Sequence, residues 1–129
     1  MNLQGKKITV NKSIVDIFNY LIVLDNFKEI MPANIQKFGV DEDSFIFGLP
    51  GMPEIRLLLT QKIPHSNITL GAASSNLSFT LAVDIRATND NMAEVQLNFT
   101  GNFNSMMAMM VKKPLTKFID TLTENLSKL

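Results

Sequence analysis

The chain of 129 residues has no cysteine, no tryptophan, one histidine and one tyrosine. Without cysteine there is no disulfide framework, no thiolate nucleophile and no zinc–thiolate site, and a reducing, cytoplasmic setting is expected. One imidazole, His65 in the turn "PHSN", supplies neither a nucleophile's base beside a serine nor a histidine-based metal centre, and an exposed turn residue is expected there. Charge of one sign is not in excess: 12 Lys and Arg are interspersed with 12 Asp and Glu. No basic stripe is therefore expected to meet nucleic-acid phosphates or anionic headgroups. No run approaches the roughly 18 apolar residues of a membrane-spanning helix. The opening "MNLQGKKITV" carries no apolar stretch of signal-peptide length, so neither stable membrane insertion nor secretion is expected. "GLPGMP" has glycines without a following Lys-Ser pair or helix start, and "DEDS" lacks the glycine and distant glutamate of a calcium loop. No metal and no cofactor is expected.

What is present fits one domain over residues 1–129, long enough to bury a core without staples. Residues 3–10 read as a first strand ending at "NKS", where Ser13 with Asp16 three residues on forms a helix start. Ile14, Ile17, Phe18 and Leu21 share one helical face, with Tyr20 off it. A second short helix begins at Asp25 and ends by Met31, because the residue before Pro32 is pushed out of the helical region. From Ile35 the period becomes two, and "DEDS", "LPGMP", "PHSN", "SSN" and "NDN" separate six strands in an antiparallel meander. The clearest hairpin pairs strands 77–89 and 92–103. Its inner face carries Leu77, Phe79, Leu81, Val83 and Ile85 against Val95, Leu97 and Phe99.

Residues 105–128 form a long amphipathic helix whose stripe is Met107, Val111, Leu115, Phe118, Leu122 and Leu126. Pro114 lies inside it and removes the donor to the Met110 carbonyl; the alternative is that Pro114 opens a second helix.

This order of elements resembles the START-like, or Bet v 1-like, helix-grip superfamily (SRPBCC). The likeness is carried by "ITVNKSIVDIFNYL" at the first strand and helix, "LDNFKEIMP" at the second helix and "KKPLTKFIDTLTENL" at the last. It covers nearly the whole chain and implies an α+β fold, β-α-α-β6-α, in which a curved antiparallel seven-stranded sheet wraps a long C-terminal helix. It also implies a cavity between sheet and helix, with "GLPGMPE" as a lip. The superfamily spans lipid carriers, cyclases and chaperone activators, so the fold by itself names no activity.

The cavity wall expected from the inner faces is Phe47, Leu57, Leu59, Phe79, Leu81, Leu97 and Phe99 from the sheet, with Met107, Met110, Val111 and Leu115 from the helix. Such a wall suits a small apolar ligand: a lipid, isoprenoid or aromatic metabolite. Gln61 and Asn125 are the polar exceptions on it, whereas Asp84, Arg86, Glu94, Arg56 and Lys62 take the outward parity. A one-residue slip in the strand of residues 54–63 turns Arg56 inward as a ligand anchor. Met107 and Met110 either fill the core or line the cavity, since thioethers suit both. Met106 and Met109 fall on the polar side of the helix. Beside the loop of residues 48–54 they make a patch suited to a homodimer or other partner contact. Three functional classes follow: ligand binding, protein interaction through that rim, and a cyclase-like or hydrolase-like enzyme using polar cavity groups.

Overall fold

The computed structural model describes residues 1–52, 54–72 and 78–129. Leu77, the "SSN" turn and Pro53 of the "GLPGMPE" loop lie outside them.

Eight strands form one antiparallel sheet: β1 (Asn2–Gln4), β2 (Ile8–Val10), β3 (Lys37–Asp41), β4 (Ser44–Gly48), β5 (Ile55–Ile63), β6 (Asn67–Ala72), β7 (Phe79–Asn89) and β8 (Met92–Gly101). The spatial order is β1-β8-β7-β6-β5-β4-β3, and β2 pairs with β8 further along the strand from β1. The seven-strand expectation differs by one because the first strand is broken at residues 5–7. Asn2 faces Thr100, whereas Ile8 faces Val95, so one extra residue is absorbed between the two pieces. Gly5 sits at that break. Its N–H donates to the Leu97 carbonyl at 2.8 Å, and a Cβ there would lie 3.0 Å from Thr123 Oγ1.

The helices begin and end where their chemistry requires. In α1 (Ile14–Leu21) Ser13 Oγ accepts from the Asp16 N–H at 3.1 Å, satisfying one of the first-turn donors. A 3₁₀ turn (Leu24–Asn26) leads into α2 (Phe27–Ile30), and Met31 is extended before Pro32. Tyr20, expected off the core face, is half-buried and packs against the core. His65 has a left-handed backbone, φ 69°, and is not a free turn residue. Its ring is half-buried and meets the Phe18 ring edge-on with centroids 5.5 Å apart.

The helix α3 (Ser105–Leu126) runs unbroken through Pro114 and is capped by Asn104, whose side-chain oxygen accepts from the Met107 N–H at 2.8 Å. Its buried side is Val111, Leu115, Phe118, Ile119, Leu122 and Leu126. A chain of aromatic rings ties it to the sheet: Phe27 and Phe38 stack on Phe45, Phe45 tilts against Phe47, and Phe47 stacks on Phe118 with centroids 5.1 Å apart. Asn125 Nδ2 donates to the Ile30 carbonyl at 2.8 Å, so this expected cavity group instead satisfies the open end of α2.

Three side-chain directions expected from spacing, those of Met110, Gln61 and Lys62, are corrected. Met110 does not face the sheet: it is 65% exposed, with Met106 at 74% and Met109 at 82%, while Met107 is partly buried against the core. Met110 shares a helical flank with Pro114, Lys117 and Thr121, at steps of four and three, and that flank faces an open cleft. Gln61 is exposed on the outer side because the ladder shifts between Leu59 and Gln61. The bulge at Thr60 reverses the alternation beyond it, so Lys62, expected outward, stands opposite Ile68 in the inner row of Val83 and Leu97, with its side chain exposed. Arg56 stays outward: it is paired with Ile46, and its Nη1 donates to Ser44 Oγ at 2.7 Å.

Two measurements check this packing. Phe47→Ala removes the ring between Phe45 and Phe118 and is expected to cost about 3–5 kcal/mol in denaturant unfolding; a loss below about 1 kcal/mol contradicts the stacked arrangement. Mild peroxide with peptide mapping should oxidise Met106, Met109 and Met110 together, ahead of Met107 and well ahead of buried Met31. Equal rates for Met110 and Met107 would place Met110 against the sheet after all.

Candidate functional site

The inner face of the sheet is formed by cross-strand rows. Leu59, Leu70, Leu81 and Phe99 face one another in register across β5, β6, β7 and β8, and Ile68, Val83 and Leu97 form the next row. Of the residues expected to wall a cavity, Phe47, Leu57, Phe79, Leu81, Leu97, Phe99, Val111 and Leu115 are buried in one continuous core. Leu59 and Met107 are partly buried against it. Within this set Phe79 and Phe99 are in ring contact, 4.8 Å between centroids, and Phe47 reaches α3 through Phe118. Side chains thus touch across the space between sheet and helix at Phe47 and Phe118, whereas the Phe79–Phe99 contact joins two neighbouring strands of the sheet.

A cleft of about 450 Å³ opens at the surface beside the middle of α3. The helix contributes Lys113, Pro114, Lys117, Phe118 and Thr121; the segment after α2 contributes Pro32, Ala33 and Asn34; the loop after β4 contributes Leu49 and Pro50. Of the "GLPGMPE" segment, expected as a lip of a cavity between sheet and helix, Leu49 and Pro50 line this surface cleft instead. None of the eleven expected wall residues lines this cleft. Phe118 is the link: one side of its ring is stacked on Phe47, and the residue also belongs to the cleft lining.

Each wall has a local reason. Pro32 ends α2 and turns the chain along the helix, and Gly51, with φ 79°, allows the sharp turn after Pro50. Pro114 has no N–H for the Met110 carbonyl and presents its ring. Three of the chain's five prolines line the cleft, so its wall is apolar and poor in backbone donors. The lining contains no carboxylate. Lys113 and Lys117, one turn apart, lie on its rim, and among the described residues neither has an ion-pair partner.

The sequence balance of charge conceals this local excess. From residue 95 to residue 119 there is no Asp or Glu, but Lys112, Lys113 and Lys117 are all present. Counting charge by segment rather than along the whole chain reveals it.

Among the described residues no three His, Asp or Glu side chains converge as metal ligands. Burial first, and then the Glu29 carboxylate, raise the pKa of Tyr20 above the ordinary tyrosine value. That keeps the phenol neutral at physiological pH, and the residue lies on α1, outside the cleft lining.

No family model matches the sequence, and no curated relative does. Solved structures match over essentially the full chain. Norcoclaurine synthase from Thalictrum flavum, in complex with dopamine and hydroxybenzaldehyde, superposes with a TM-score of 0.74 at 10% identity, covering 99% of this chain and 84% of that one. The protein XoxI from Bacillus cereus gives 0.69 at 11% identity over 98% and 93%. The Aha1 dimer from Colwellia psychrerythraea gives 0.60 at 17% identity over 100% and 99%. At such identities the likeness is one of fold: this chain adopts the Bet v 1-like helix-grip fold, an α+β architecture with a curved antiparallel sheet around a long C-terminal helix.

Proposed function

We propose that the protein binds a small, largely apolar molecule, and that the ligand enters at the cleft between α3 and the two loops facing it. The observation that carries this reading is the cleft itself: about 450 Å³, in the usual range for small-molecule sites, with Phe118, Leu49 and three prolines in its lining. Phe47, stacked behind Phe118, backs the site, and the deeper inner-face residues support it as core. No covalent step is assigned. The absence of cysteine suits a cytoplasmic setting, which the reading adopts.

A second reading has its own observation. Met106, Met109 and Met110 expose three flexible thioethers on the first turns of α3, a surface suited to self-association. It is distinguished by concentration: association through this face slows oxidation of those residues as protein concentration rises.

A ligand burying roughly 300 Å² of apolar surface gains about 7 kcal/mol before association costs, so dissociation constants of about ten micromolar or weaker are expected for simple probes. Ala33 is exposed on the cleft wall, so Ala33→Trp fills the cleft without touching the core. That variant should keep the parent's unfolding midpoint and bind an apolar fluorescent probe at least tenfold more weakly. Unchanged affinity in a folded Ala33→Trp protein refutes the cleft as the entry site.

A further inference from the structure

We infer that the cleft selects an anionic, single-chain amphiphile: a free carboxylate whose tail lies against Pro114 and Phe118 and whose head is held by Lys113 and Lys117. The inference rests on the proposed binding function and adds the chemical class of the ligand.

Lys113 and Lys117 stand at positions i and i+4 on the same helix face, where two like charges repel. Neither ammonium has an ion-pair partner among the described residues and no carboxylate lines the cleft; Asp120, three residues beyond Lys117, lies with both lysines along the neighbouring groove, outside the cleft lining. Among the described residues the cations in ion pairs are Lys37, Arg86 and Lys128, each with a glutamate within 4 Å. An anion bridging Lys113 and Lys117 relieves the repulsion and gains charge-assisted hydrogen bonds to two flexible donors. Prolines in the lining withhold backbone N–H groups, so recognition of the anion falls to these side chains. A cationic head would meet like charge at the rim, and a neutral one would gain nothing from it.

Calorimetric titration of the full chain with dodecanoate, dodecanol and dodecyltrimethylammonium, all below their micelle concentrations, tests the assignment. Dodecanoate should bind about tenfold more tightly than dodecanol at low ionic strength, with the preference shrinking as salt is added. In Lys113→Gln/Lys117→Gln the ratio of the two affinities should fall to within about twofold. The charge-matched Lys62→Gln/Lys112→Gln protein, altered outside the cleft, should keep the parent ratio. Equal binding of dodecanoate and dodecanol by the parent protein, or a preference for the ammonium, overturns the anion assignment while leaving apolar binding intact. Binding of none of the three overturns both readings. Capture on phosphatidylglycerol vesicles with no binding of free dodecanoate overturns the committed ligand in favour of a bilayer surface.

Discussion

The stacking of Phe47 on Phe118 determines where this fold is closed and where it is open. Phe47 stands on β4, flanked through Phe45 by Phe27 and Phe38, and its contact with Phe118 fixes α3 against one side of the sheet. Each such ring pair adds about 0.5–1.5 kcal/mol beyond the area it buries. Toward the C-terminal end from this clamp, α3 is held by Leu122, Leu126 and the Asn125 bond to α2, and the packing is continuous. The flank running from Pro114 to Thr121 is faced, among the described residues, by Pro32, Ala33, Asn34, Leu49 and Pro50 across the cleft.

Proline shapes that opening. Pro32 and Pro50 end the two segments that face the helix, and Pro114 interrupts the helix's own hydrogen-bond ladder where they approach it. The result is an apolar concavity whose rim charge comes from the same helix turn. Burial of apolar area supplies affinity for nearly any hydrophobic molecule of the right size, whereas an uncompensated pair of cations discriminates among head groups. On the proposed reading, site and scaffold divide the work: the aromatic chain provides rigidity, and two exposed lysines provide selectivity.

The legible part of the sequence was the local chemistry. Ser13 with Asp16, Met31 before Pro32, and the alternation in β7 and β8 each follow from rules acting over a few residues, and the structure repeats them. The illegible part depends on long-range geometry. An extra residue at Thr60 reverses the parity of Gln61, and nothing in the residue types around it signals a bulge. The break at Gly5 comes from two successive registers on β8, which spacing in the first strand does not reveal. Met110 sits at the edge of the helical stripe, and its exposure follows from how the described elements pack around that flank, which helical spacing alone does not fix. The cleft eluded sequence reasoning for the same reason: its walls come from three segments separated by many residues, and "GLPGMPE" was the one portion that resemblance pointed to.

The claim on which the account turns is that a ligand meets the protein beside Pro114 and not inside the sheet. The direct measurement is a backbone and methyl chemical-shift map of the isotope-labelled full chain during titration with a neutral apolar probe. The account predicts that the largest changes fall on Ala33, Asn34, Lys113, Lys117 and Thr121, with Phe79, Leu97 and Phe99 moving little. Changes centred on Phe79, Leu97 and Phe99, with Ala33 and Thr121 unmoved, would place the ligand in the interior and contradict it.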